Sequence, residues 1–274
     1  MNLLIIMLII INKFVDNIYK RYDYVVKRGG ISMKWLKKAI LAIFMLLTIF
    51  QSYPQCMLIT SGYNKIYSQI SIVDKVYKSK NDYLKIDVVI PQIKDDKSVD
   101  KAQNVNNSII IWTEAWINDV KNIADEYFKN GTSPINQYQL ISKYKVTSLQ
   151  NVISLYIDYY QYTGGAHGIT IRKPYNIDEE TGMILTLKDI FREGYDYKEI
   201  IDSNIIEQIS KKPDIYFSGK EGFNGIDEKT KFYIEDGNLV IYYGEYEIAP
   251  YVTGIPEFHI PINIFKGNFK YDKI

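Results

Sequence analysis

Between Asp100 and Asn130, apolar residues recur at spacings of three and four, at Val105, Ile109, Trp112, Trp116, Val120, Ile123 and Tyr127. A repeat of that length predicts one long amphipathic helix closed by Asn130-Gly131, with Trp112 and Trp116 on its core face. Strand-forming stretches lie on both sides of it. Ile66–Ile72 and Tyr83–Ile90 are rich in β-branched and aromatic residues, and Pro91 is expected to stop the second. Tyr144–Tyr162 reads as a long strand-forming stretch turned at Gln150-Asn151. A short strand or helical turn follows at Leu185–Phe191, then a second helix near Tyr197–Lys211 with Ile201, Ile205 and Ile209 inward. Lys231–Glu235, a turn at Asp236-Gly237, and Asn238–Tyr243 predict a hairpin with Leu239, Ile241 and Tyr243 alternating; Phe258–Ile264 closes its sheet. Single helices among strands predict an α+β fold of two small modules, each a largely antiparallel sheet carrying one main helix, in place of a repeated βαβ unit.

The side-chain inventory removes several classes of function. Of 274 residues one is cysteine, Cys56, and two are histidine, His167 and His259. Neither a disulfide framework within one chain nor a cysteine-based zinc site can be built, and no metal or cofactor is expected. The net charge of +1 conceals a polarised chain. Residues 1–62 carry 8 basic and 2 acidic side chains, residues 63–150 carry 12 and 10, and residues 151–274 carry 13 and 20, a net −7. Such an acidic C-terminal half disfavours nucleic acid and suits a basic partner. Only Arg21, Arg28, Arg172 and Arg192 could fork onto phosphates.

The basic head holds two apolar runs, Leu3–Ile11 and Ala39–Phe50, both short of the roughly 18–20 residues that span a bilayer. Met33-Lys-Trp-Leu-Lys-Lys38 precedes the second run, the layout of a secretory signal or signal anchor at 33–58. Residues 1–32 are then an extension ahead of a true start at Met33. The basic residues before the run hold its N-terminal side in the cytoplasm and send the remainder out, anchored or secreted.

Tyr162-Thr163-Gly164-Gly165-Ala166-His167-Gly168 concentrates three glycines in five residues, so this loop either turns tightly or admits another backbone. His167 could serve as a general base oriented by Asp158 or a downstream glutamate, yet no nucleophile motif accompanies it, and a histidine bonded within its turn is the simpler reading. Glu245 and Glu247, two apart on an expected strand, have a spacing a two-carboxylate glycosidase could use; a solvated acidic face explains them with less. Asp178-Glu179-Glu180 lacks the alternating spacing of a calcium loop. Tyrosines cluster at Tyr156, Tyr159, Tyr160, Tyr162, Tyr242, Tyr243, Tyr246 and Tyr251, where rigid aromatic anchors for protein or glycan compete with ordinary strand propensity.

Tyr160–Gly168, Asn176–Gly182 with Leu185–Phe191, and Tyr246-Glu-Ile-Ala-Pro-Tyr-Val-Thr-Gly254 occur in an order that resembles one family. This is the extracytoplasmic domain of unknown function that ends the RsiV-type anti-sigma-V factors, assigned here to residues 161–274. Residues 63–160 resemble the module that precedes it there and that also stands before the catalytic domain of PdaC-type peptidoglycan deacetylases. The resemblance implies a non-enzymatic receptor. RsiV-type proteins bind lysozyme outside the cell through loops that enter its cleft, and that binding exposes the anti-sigma factor to proteolysis. Carried over residue by residue, the partner-binding set is Tyr162, Thr163, Gly164, Gly165, His167, Gly168, Tyr246, Pro250 and Tyr251. The partner implied is a basic extracellular protein such as lysozyme, or peptidoglycan. The segment before the apolar run is too short for a sigma-binding domain, and two separated histidines cannot furnish a deacetylase metal site, so the expectation is the sensing half alone.

Overall fold

A computed structural model of the protein describes residues 70–95, 99–129, 131 and 136–271. The segments 1–32 and 33–58, Cys56, Asn130 and the start of the strand expected from Ile66 lie outside the described residues. Among the described residues no helix is long and apolar enough to cross a membrane.

The described residues begin with a hairpin of β1 (Ile70–Lys80) and β2 (Leu84–Asp95), turned at Asn81, whose side-chain oxygen accepts the N–H groups of Tyr83 and Leu84 at 3.0 and 2.7 Å. Helix α1 (Val99–Phe128) crosses to β3 (Tyr138–Leu149), which runs parallel to β2 over Leu84–Asp87 only. Antiparallel β4 (Val152–Tyr162) and β5 (Ile169–Asp178) complete a five-stranded sheet in sequence order. After α2 (Lys198–Ser210), strands β6 (Lys231–Glu235), β7 (Asn238–Tyr242) and β8 (Glu257–Pro261) form a separate antiparallel sheet. The fold is α+β, with one main helix to each sheet.

Alternation along β4 decides the layering. Ile153, Leu155, Ile157 and Tyr159 join the core under α1 with Val105, Ile109, Trp116 and Val120. Tyr156, on the opposite face, packs on Tyr233, Val240 and Tyr242 of the small sheet. The far side of that sheet holds Leu239, Ile241, Phe258 and Ile260 against Ile201 and Ile205 of α2. The order is helix, sheet, sheet, helix.

Several expectations change for physical reasons. The core face of α1 ends on Ala124 and Phe128, while Ile123 and Tyr127 are exposed. A stripe drawn at spacings of three and four drifts round a helix of 3.6 residues per turn. Proline at position 91 does not end β2, which continues to Asp95. Beyond Asp87, β3 no longer ladders with β2, and side chains replace it. Ser142 Oγ bonds both the N–H and the C=O of Val89, Pro91 has no N–H to satisfy, and the Asn106 amide bonds both groups of Ile93 at 2.8 Å. Strand β5 has no clean alternation in sequence, since Arg172-Lys173-Pro174 interrupts it, and no strand is expected there. In the small sheet both faces are buried, so Val240 and Tyr242 are as inaccessible as Leu239 and Ile241. The hairpin turn lies at Asp236-Gly237, both at positive φ, 48° and 73°, as a type I′ turn requires.

The two sheets meet through buried polar groups. Ser154 Oγ donates to Asn176 Oδ1 at 2.7 Å and accepts the Ile234 N–H at 2.9 Å, and Asn176 Nδ2 donates to the Phe232 carbonyl at 2.8 Å. Arg172 lies beside them, bidentate on Asp158 at 2.7 and 2.9 Å, bonded to Glu257 of β8, and stacked 3.8 Å from the Tyr156 ring. Ser154→Ala leaves a buried amide and an amide oxygen without partners, so unfolding free energy falls by about 2 kcal/mol, read from the denaturant midpoint at unchanged m. Arg172→Met leaves Asp158 and Glu257 facing each other without a cation. The loss is about 2 kcal/mol at neutral pH, moderated by their partial exposure and read from the denaturant midpoint. A midpoint unchanged from the parent contradicts this account.

Candidate functional site

The β4–β5 loop is shaped by glycine at two kinds of position. Gly164 and Gly165 take φ of 96° and 90°, which side-chain-bearing residues rarely adopt, and the Tyr162 hydroxyl donates to the Gly165 carbonyl at 3.0 Å across that turn. Gly168 is required for closeness. An added Cβ there would lie 2.4 Å from the Tyr160 ring and 2.5 Å from the Gln161 carbonyl oxygen. Thr163 joins the end of β4 to the bend at Gly164–Ala166. His167 is thereby turned outward, its Nδ1 3.0 Å from the Gly168 carbonyl oxygen.

The β7–β8 loop meets it. Glu247 Oε2 accepts the Gly244 N–H at 2.6 Å and pairs with Lys231 at 3.1 Å, while Glu245 Oε2 accepts the Thr170 N–H at 3.0 Å. Between these two anchored carboxylates Tyr246 is held at φ 65°, in the left-handed region. Pro250 leads into a single 3₁₀ turn over Tyr251–Thr253, ended by Gly254 at φ 71°. Tyr251 stacks on His167 with ring centroids 3.8 Å apart and planes within 15°, and Tyr246 lies 5.6 Å from Tyr251, within 29° of parallel. With Nδ1–H donated to Gly168, Nε2 is free to accept the Tyr246 hydroxyl at 3.3 Å. The Tyr251 phenol is pushed above its usual range by burial first and then by the negative field of Glu245.

Two loops some 80 residues apart in sequence thus form one platform. His167 supplies one half, on the loop that Gly164, Gly165 and Gly168 shape and the Tyr162 hydroxyl ties, and Tyr246 and Tyr251, after Pro250, the other. Its tip is Val252, 91% exposed, which the sequence does not single out because one valine in a turn carries no pattern. Tyr246 is 50% exposed, and Tyr159 and Tyr242, two of the clustered tyrosines, are core residues.

The catalytic alternatives lose their geometry. Asp158 is occupied by Arg172 and does not orient His167. Glu245 and Glu247 lie in a turn, not on a strand, and each carboxylate clamps backbone. Asp178 caps its own turn through Thr181 and accepts the Tyr271 hydroxyl at 2.6 Å. Among the described residues no group of three or more potential metal-ligating side chains occurs.

Comparison with known proteins gives two family matches. Residues 77–170 match the family described as deacetylase PdaC, and residues 188–263 match a protein family of unknown function, DUF3298. Anti-sigma-V factor RsiV of Bacillus subtilis is 27% identical over 214 residues, 74% of this chain and 71% of RsiV. Peptidoglycan-N-acetylmuramic acid deacetylase PdaC of the same organism is 25% identical over 156 residues, 56% of this chain; the match spans only 32% of PdaC. A DUF3298 family protein from Bacteroides fragilis has a crystal structure that superposes with a TM-score of 0.50 at 21% identity, covering 74% of this chain and 94% of that one, a likeness of fold. Residues 77–170 are thus similar to the PdaC family and residues 188–263 to DUF3298, and the α+β fold is like that of the solved DUF3298 protein.

Proposed function

We propose that this protein is a non-enzymatic binding or sensing module that works outside the cytoplasm and captures a basic protein of the lysozyme kind. One observation carries the reading: the loops singled out by their resemblance to the lysozyme receptors meet in space and stack His167, Tyr251 and Tyr246 into a single exposed platform tipped by Val252. Rigid aromatic rings offer contact area at little entropic cost, and every turn around them is fixed by glycine, proline or an anchored carboxylate. The −7 balance of residues 151–274 supplies attraction at a distance to a cationic partner. The basic, apolar segment before residue 63 fits an exported or membrane-tethered chain. Likeness to an anti-sigma factor supports a regulatory setting, and likeness to a peptidoglycan deacetylase supports the cell envelope as its place. The modules at 63–160 and 161–274 then act together as the receptor.

Titration calorimetry of the full chain with a basic lysozyme is expected to give saturable heat at low salt that weakens several-fold at moderate salt. Tyr251→Ala weakens binding at least about tenfold while thermal unfolding stays near the parent. Absence of heat and of retention at low salt removes lysozyme as the partner. Retention by insoluble peptidoglycan in its place moves the ligand to the wall polymer.

A further inference from the structure

The two edges of the five-stranded sheet are treated differently. β5 is closed along its outer side: Glu245 takes the Thr170 N–H, the Tyr242 hydroxyl donates to the Arg172 carbonyl at 3.0 Å, Pro174 has no N–H, the Asn176 carbonyl accepts from Leu185, and Asp178 N–H donates to Met183. Among the described residues β1 has no such cover, and no strand pairs with its outer side. It is also long and regular, 11 residues with neither proline nor bulge, in unbroken register with β2 from Ile70 to Lys80. Bare edges of that length are templates for pairing.

The order of side chains on β1 is complementary to itself. When two β1 strands run antiparallel about a two-fold axis at Val76, Asp74 stands opposite Lys78 twice, Lys75 opposite Tyr77 twice, and Val76 meets its own copy. Directly opposed side chains in an antiparallel pair share a face, so each pair is in contact. An axis at Lys75 sets that lysine against itself, and an axis at Tyr77 sets Val76 against Lys78. Exposed apolar groups flank the edge on both faces. Val76 is 50% exposed on one, and on the other Ile111 of α1, 69% exposed, lies one turn before Glu114, which binds the Tyr77 hydroxyl at 2.9 Å and pairs with Lys75 at 3.7 Å. There is room for two copies. α1 packs over β2, so strands about 4.8 Å apart place the two α1 helices about 14 Å apart, beyond the 8–10 Å of closely packed helices.

We propose that two copies of this chain associate through β1, antiparallel about Val76, to make one continuous ten-stranded sheet with both α1 helices on the same side.

The test is the mass of the full chain by analytical ultracentrifugation over a dilution series, in mild detergent so that the N-terminal apolar runs do not aggregate. A reversible monomer–dimer equilibrium is expected. Asp74→Lys or Lys78→Asp alone turns two attractive pairs into two repulsive ones and raises the dissociation constant at least about tenfold. The double variant Asp74→Lys/Lys78→Asp restores dimerisation. It does not restore the contacts these residues make within one chain, Asp74 with Tyr144 and Lys78 with Asp87, so recovery reports pairing between copies. Melting temperatures of all three variants separate weakened association from lost folding. A monomer at every concentration, a dimer indifferent to the single reversals, or a double variant no better than its parents overturns the proposal.

Discussion

The buried hydrogen bonds from Ser154 and Asn176 to β6 are the constraint on which the remaining geometry rests. β6 is one of the two outer strands of the small sheet, and its free side is turned into the protein. Backbone groups there would lose water and gain nothing without a substitute ladder, a loss of about 1–3 kcal/mol for each. Two side chains from β4 and β5 serve as that substitute. Because each donor and acceptor is matched to one atom, the small sheet has one position on the large one. Arg172 fixes the same position from the next residues along, bonding β4 through Asp158 and β8 through Glu257. A purely apolar interface of Tyr156, Tyr233, Val240 and Tyr242 would permit sliding; the polar set does not.

The platform inherits its precision from that docking. His167 leaves the end of β4 and Tyr251 stands between β7 and β8, so the 3.8 Å stack between them exists only when the sheets are in register. Glu245 adds a direct tie by taking the Thr170 N–H, and in doing so closes one position of the β5 edge. Edge protection and site construction are here the same contact, and the β1 edge, which no described strand pairs, lies at the opposite border of the sheet.

Much of this was legible in the sequence, and the gaps have causes. The Asp236-Gly237 hairpin was readable because a two-residue turn needs residues tolerant of positive φ. The long helix was readable from its period, and the two loops from their glycines and their likeness to a known family. β5 was not, because its residues answer to three environments: Tyr175 and Ile177 to the core under α1, Arg172 to the sheet interface, and Ile169 and Ile171 partly to solvent. Period-two patterns describe one buried face and one wet face. β7 hid its character for a related reason, since both of its faces are covered. Asn106, Ser142, Ser154 and Asn176 could not have been found by pattern at all. Each is a single polar residue whose role is set by a backbone group from 13 to 80 positions away.

Tyr246 shows what the site asks of the chain. Glycine would hold φ 65° without steric strain, whereas a tyrosine there carries a backbone cost on the order of 1 kcal/mol. The fold recovers little of that from the ring, which is half exposed and contributes one long hydrogen bond to His167. What the conformation does achieve is orientation. Glu247 on Gly244 and Glu245 on Thr170 grip the chain on either side, and the left-handed residue between them tips the phenol into line with Tyr251 and His167. An aromatic side chain held against local preference, in a turn anchored at both ends and facing water, is spent on the surface it presents and not on the stability of what lies beneath.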